Sequence, residues 1–354
     1  MRKRSRSYGR AGLAWRAVSL SAKRRRLRLA PIGVALLLAG CGGSSSSSTS
    51  THSAAAPAPK PHTARPRTVI ALAAQPVGEL PAGVQWPATA AVGGRVLLMG
   101  GLDQATASVA DIVSVSGGHG DRIGALPYAV HDAAGATLNG TAYLFGGGEP
   151  SYSTILAVDP GGRSTVAGHL PAAASDVAAG VIGSTAYVVG GYTGTVPLDT
   201  IVAWSGSGPG RVVGHLPHPV RYAAVAAIGG HLIIAGGTSG DSATRQVYSF
   251  DPAGGGVRQI GLLPHPLTHA AAATLGDRVY VIGGRGGVQG SQTDAILAID
   301  PVSGRVRPAG RLPVGLSDIG VAPRGGAVMV AGGREGSGTL SQRVYLLRPR
   351  RGTA

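Results

Sequence analysis

Six residues after the leucine of each of six Leu-Pro pairs, the chain places a side chain that can titrate, hydrogen-bond or stack: Trp86, Asp132, Asp176, Tyr222, His269 and Asp318. The positions just before them read Gln85, His131, Ser175, Arg221, Thr268 and Ser317. Carboxylates, imidazoles and a guanidinium beside an indole and a phenol form a set suited to a hydroxylated ligand. The charged groups hold hydroxyls while the rings cover the apolar face of a sugar. Asp132, Asp176 and Asp318 can also supply a carboxylate pair for acid–base work on a sugar, provided their protonation states are held apart. The structural alternative is that Asp and His at these positions bond the backbone of neighbouring repeats.

Other chemistry finds little support. The sequence contains no G-x-S-x-G, no H-E-x-x-H and no phosphate-binding glycine loop. His218 and His265 recur in Leu-Pro-His-Pro, and His169 and His215 in Gly-His-Leu-Pro. Duplication explains both pairs as well as metal ligation does, and with no partner carboxylate in view we expect neither metal nor cofactor. Loops after each Gly-Gly, carrying Asp103, Glu149, Tyr152, Tyr192, Arg285, Arg334 and Glu335, should reach the same face as the twelve positions above.

The elements that position these residues are set by a repeat. Leu80, Leu126, Leu170, Leu216, Leu263 and Leu312 are each followed 20 residues later by the first glycine of Gly-Gly: Gly100, Gly146, Gly190, Gly236, Gly283 and Gly332. Two-residue turns such as Gly93-Gly94 and Asn139-Gly140 lie inside each interval, where positive φ is easy, so each interval reads as a tight hairpin of fixed register. Its first strand is rich in Ala and its second is wholly apolar, as in Val96–Met99. That pattern suits an inner strand at a crowded axis and a strand buried on both faces. A third strand ends in Asp-Pro at Asp159, Asp251 and Asp300; a fourth leads to Gly two residues before each Leu-Pro. A period of 44 to 49 residues with four strands per unit predicts an all-β, six-bladed β-propeller. The repeats open on a fourth-strand segment, Val69–Gly78, and stop after a third strand, Val344–Leu347. The N-terminal strand should therefore close the ring.

This pattern resembles the kelch repeat, with Tyr three residues before Gly-Gly at Tyr143, Tyr187 and Tyr280 and the segment Tyr248-Ser249-Phe250-Asp251-Pro252. The tryptophan usual in kelch fourth strands is missing: the tryptophans are Trp15, Trp86 and Trp204. The resemblance implies that ligands bind on the face where the chain reaches the inner strands. It also brings in galactose oxidase, whose copper site needs a Cys–Tyr cross-link that Cys41, outside the repeats, cannot make, and the sialic acid mutarotases.

Residues 1–67 hold 14 Lys or Arg and no acid, whereas the repeat region holds 18 Arg against 16 Asp and Glu. The domain itself is thus near neutral, and no nucleic acid partner is expected. A basic stretch, a short apolar segment and Leu38-Ala39-Gly40-Cys41 resemble a bacterial lipobox, with Cys41 as the lipidated residue and the chain's single cysteine. We therefore expect a lipoprotein signal over 1–40, a Ser-, Pro- and Ala-rich tether over 41–67, and a propeller over 68–354. Its repeats should start near 79, 125, 169, 215, 262 and 311. The expected setting is the outer face of a bacterial membrane. The expected role is a binding module for a glycan or a cell-envelope protein, with a carbohydrate enzyme such as a sugar mutarotase as the alternative.

Overall fold

The computed structural model describes residues 71–350; the signal, Cys41 and the tether lie outside the described residues. The fold is a six-bladed β-propeller. Blade 1 is the antiparallel sheet Ala88–Val92, Arg95–Met99, Asp111–Ser116 and His119–Ala125, running from the axis outward. Blades 2 to 5 repeat it. Blade 6 takes Gly320–Arg324, Ala327–Ala331 and Arg343–Pro349 from the C-terminal end and its outer strand, Leu72–Glu79, from the N-terminal end. Leu72 pairs with Pro349 and Glu79 with Arg343, so this strand closes the ring.

Apolar strands buried on both faces make this arrangement stable. Val96 to Met99 and Val328 to Ala331 are all buried, and successive core clusters join the face of one blade to the next, as Leu97 and Met99 join Leu144 and Leu156. Burial of such aliphatic side chains stabilises by about 1.5–3 kcal/mol each. Toward the axis the inner strands carry Ala, Gly and Thr, which leave a channel of about 240 Å³ lined by residues such as Ala91, Thr137, Ala179 and Ala272. Thr hydroxyls tie inner strands to their neighbours: Thr137 donates to Ala91 O at 2.6 Å and Thr274 to Ala227 O at 2.7 Å.

The recurring glycines are explained by contacts between blades. At every junction the second glycine of Gly-Gly donates its N–H to a carbonyl in the segment leading into the next blade. The series runs Gly101 to Val130, Gly147 to Ala174, Gly191 to Val220, Gly237 to Leu267, Gly284 to Leu316 and Gly333 to Val84, at 2.8–2.9 Å. The first glycine, at φ near +60°, sits against that same carbonyl, where no Cβ fits. The glycine two residues before Leu-Pro follows a β-bulge in the outer strand, and a methyl group on Gly124 would overlap Gly162 O in the next blade's turn. The Asp-Pro turns are held by their aspartates, as when Gly161 and Arg163 N–H both donate to Asp159 Oδ1 at 2.9 Å.

Two blades depart from the repeat. Blade 2 gains a two-residue parallel strand, Gly208–Pro209, beside its outer strand. In blade 4 the outer strand does not stop at Leu-Pro: Gly256–Leu267 runs on, pairing Leu267 with Thr244, and Arg245 Nε donates to Leu263 O at 2.9 Å.

Candidate functional site

The six positions singled out by the repeat form one ring at the axis. Trp86, Asp132, Asp176, Tyr222, His269 and Asp318 all take left-handed backbone, φ +54° to +61°. That geometry turns the N–H group toward the previous blade, and at five of the six positions it is bonded there. Trp86 donates to Asp318 O, Asp176 to Asp132 O, Tyr222 to Asp176 O, His269 to Tyr222 O and Asp318 to His269 O, at 2.9–3.3 Å. The six side chains then point into a cavity of about 120 Å³ at the channel mouth, floored by the next residue of each blade: Pro87, Ala133, Val177, Ala223, Ala270 and Ile319.

Within the cavity the rings form one cluster, which Trp86 joins from the side of the ring opposite Tyr222. Tyr222 and His269 are 3.9 Å apart between centroids, and Trp86 lies 6.1 Å from Tyr222 at an interplanar angle of 20°. The sequence suggested that Trp86 and Tyr222 hold a sugar on their faces. A separation of 6.1 Å leaves no room for a sugar between them, so the faces these two rings turn to each other are closed to a group of that size.

The carboxylates are arranged unequally. Arg221 Nε donates to Asp176 Oδ2 at 2.5 Å, and the guanidinium lies 4.4 Å above the Tyr192 ring. Burial lowers the Arg221 pKa, but Asp176 and Tyr222 outweigh it and hold the cation charged. Asp132 has no such partner; burial first, then the charges of Asp176 and Asp318, push its carboxyl well above the ordinary range. Tyr222 OH approaches its Oδ2 at 3.5 Å and His131 Nε2 at 3.7 Å. Asp318 is raised to about 6, chiefly by burial and against the Ser317 hydroxyl, which donates to its Oδ2 at 2.6 Å. His269 is held neutral: burial first, then Arg285 and Arg221, push its pKa well below the usual value. Arg285 Nη2 donates to His269 Nε2 at 2.9 Å, so the ring proton is on Nδ1, 3.3 Å from Thr268 Oγ1.

The preceding positions divide. Arg221 and His131 reach the ring, His131 with Nδ1 2.8 Å from Ser108 Oγ and its pKa lowered by burial. Ser175, Thr268, Ser317 and Gln85 are buried beneath it. There they pair backbone with the loops after Gly-Gly, as Ser175 does with Tyr192 and Thr268 with Arg285. Of the loop residues, Tyr192 and Arg285 join the site. Tyr152 stacks on Tyr128 at 4.2 Å, and Asp103 caps its own loop through Ala107 N. His218 and His265 stand apart, each against a separate cavity on its own blade. The residues missed in the sequence are the small and apolar floor, whose signal is only that they follow the ring position.

The kelch motif profile matches residues 219–255 and 266–313, which are blades 4 and 5. No curated protein sequence matches the chain. Among solved structures 738 chains match, so the fold is widely shared and by itself selects no ligand. One of them, titled "Structure of YjhT", aligns with a TM-score of 0.66 at 16% identity, over 77% of this chain and 97% of that one. At this identity the likeness concerns the fold. The chain is a six-bladed β-propeller with kelch motifs in its fourth and fifth blades.

Proposed function

We propose that this protein is a lipid-tethered, extracytoplasmic binding module that takes a small hydroxylated ligand, a glycan unit, at the channel mouth. One observation carries the reading: six blades each hold a non-glycine side chain in left-handed backbone around a single cavity. The blade-to-blade bonds need only the backbone, and glycine would make them without strain, whereas a bulky residue there costs about 1–2 kcal/mol. Trp, Tyr, His and Asp at these places are retained for what their side chains do. A narrow, polar, aromatic-edged cavity suits one sugar unit better than the broad face of an envelope protein. The tether and location rest on Leu38-Ala39-Gly40-Cys41 and the basic, apolar run before it.

The mutarotase reading has one observation in its favour. Asp318, near pKa 6, is a carboxyl that can give and take a proton at the cavity wall. Against it, the Nε2 lone pair of His269 is occupied by Arg285, so the nearest neutral base is not free.

Titration of a glycan array and then of single sugars, followed by Trp86 fluorescence, tests the proposal. Arg221→Ala and Tyr222→Ala should each weaken binding by about 1–3 kcal/mol, and Cys41→Ala should block incorporation of labelled fatty acid. Unchanged affinity in both ring variants, with sensitivity instead at Thr137 and Thr274 on the channel wall, would overturn the site. Faster interconversion of sugar anomers, lost in Asp318→Asn, would replace binding by catalysis.

A further inference from the structure

We infer that the face of blade 5 carries a second binding site, for a small apolar molecule with an anionic head. Between that face and the Pro264–Leu267 segment leading into the blade lies a cavity of about 430 Å³, within the range of small-ligand sites. The corresponding places on blades 4 and 3 hold only about 120 and 60 Å³.

Two features enlarge it relative to blade 4. Gly236 N–H donates to Gln246 O as Gly283 N–H donates to Ala295 O, and Tyr248 pairs with Ile234 as Leu297 pairs with Val281. Blade 5 therefore has Ala and Leu where blade 4 fills its cavity with Gln and Tyr. The second feature is the roof. Pro264, His265 and Pro266 are exposed between the buried anchors Leu263 and Leu267, and they run extended as the end of blade 4's outer strand. Two prolines with fixed φ stiffen that strap, so the cavity is formed before a ligand arrives.

The occupant's chemistry follows from the lining. Fourteen residues line the cavity, fewer than the about 20–30 a side of a stable protein interface; the site fits a small molecule. No carboxylate is among them, and the ionisable ones are His265 and Arg311. Arg311 holds Asp294 through Nη1 alone, at 2.8 and 3.1 Å. Its remaining donors suit a carboxylate or sulfonate. The site is independent of the channel mouth.

The test uses the full chain and two fluorescent probes, 8-anilinonaphthalene-1-sulfonate and its uncharged counterpart N-phenyl-1-naphthylamine. Ala295→Gln with Leu297→Tyr copies the filling of blade 4. It should weaken both probes at least about tenfold while the melting temperature stays put, and Arg311→Gln should weaken the sulfonate about three- to tenfold and leave the uncharged probe alone. If the double variant misfolds, Leu297→Tyr alone is read in the same way. Absence of any saturable site in the wild type, or unchanged sulfonate binding in a folded filled variant, would overturn the inference.

Discussion

Replacing Asp318 by Asn should make the propeller more stable at neutral pH and leave it unchanged in acid. Asp318 is 6% exposed, and its folded pKa is about 6 against an ordinary value of 3.8. A raised pKa means that the folded state binds its proton more tightly than the unfolded chain. Stability contributed by the protonated group is therefore fully present below pH 3.8 and lost as pH rises through 6. Two units at about 1.4 kcal/mol each give a loss of about 3 kcal/mol at pH 7.5. Asn cannot ionise and still accepts from Ser317 through its amide oxygen, so the variant escapes that loss. At about 2 °C per kcal/mol for a domain of this size, melting should rise by about 5 °C at pH 7.5, with no gain at pH 4. His269 acts in the opposite sense: its lowered pKa makes stability fall as pH drops below 6.5. It is present in both proteins and cancels in their difference. The assay is denaturant unfolding of both proteins across pH 4 to 8. A gap between them that stays constant with pH would refute the account of Asp318 as a buried, strained carboxyl, and with it the argument that the site is retained at a cost in stability.

Gly124→Ala should lower stability by about 1–3 kcal/mol, because the added methyl meets the Gly162 carbonyl of the next blade; Gly93→Ala, in open space but at positive φ, should cost only about 1 kcal/mol. Calorimetry separates the two. Deleting residues 72–79 removes the outer strand of blade 6 and exposes Arg343–Pro349 as an open edge, so the protein should aggregate or melt non-cooperatively; cooperative melting at the wild-type temperature would contradict ring closure. Tyr222→Gly should weaken sugar binding as Tyr222→Ala does, yet resist denaturant better than Tyr222→Ala by about 1 kcal/mol, because glycine takes the left-handed backbone without strain; unchanged sugar affinity in both folded variants would leave Tyr222 a purely structural role.

The fold was legible because its markers are backbone requirements. Gly-Gly at a fixed distance from Leu-Pro is the sequence trace of a hydrogen bond from Gly101 to Val130 and its five equivalents. The glycine at 124 or 168 looked like a strand terminus; its cause, the turn of the next blade pressed against it, lies 38 residues or more away in sequence and leaves no local signal. The same limit hid the running-on of blade 4, since Leu-Pro-His-Pro reads as a break until Leu267 is seen pairing with Thr244. At the site, the ring positions stood out because repeats that agree elsewhere differ there. Their partners did not: nothing in the spelling of His269 foretells that Arg285 holds its Nε2, or that Trp86 sits too near Tyr222 to admit a sugar between them.

This division has a physical consequence. Ring residues join their blades to the previous one through main-chain N–H and C=O groups, and do so equally well as Asp176, Tyr222 or His269. That main-chain bond asks nothing of the side chain. Six positions can then change in charge, size and aromaticity while the closure, secured a second time by the Gly-Gly bonds, stays as it is. A surface of this kind can vary without rebuilding of the fold. It also explains why the carboxyls most displaced from their ordinary pKa, Asp132 and Asp318, occur there and not on the blades: the bonds that close the ring do not depend on their charge.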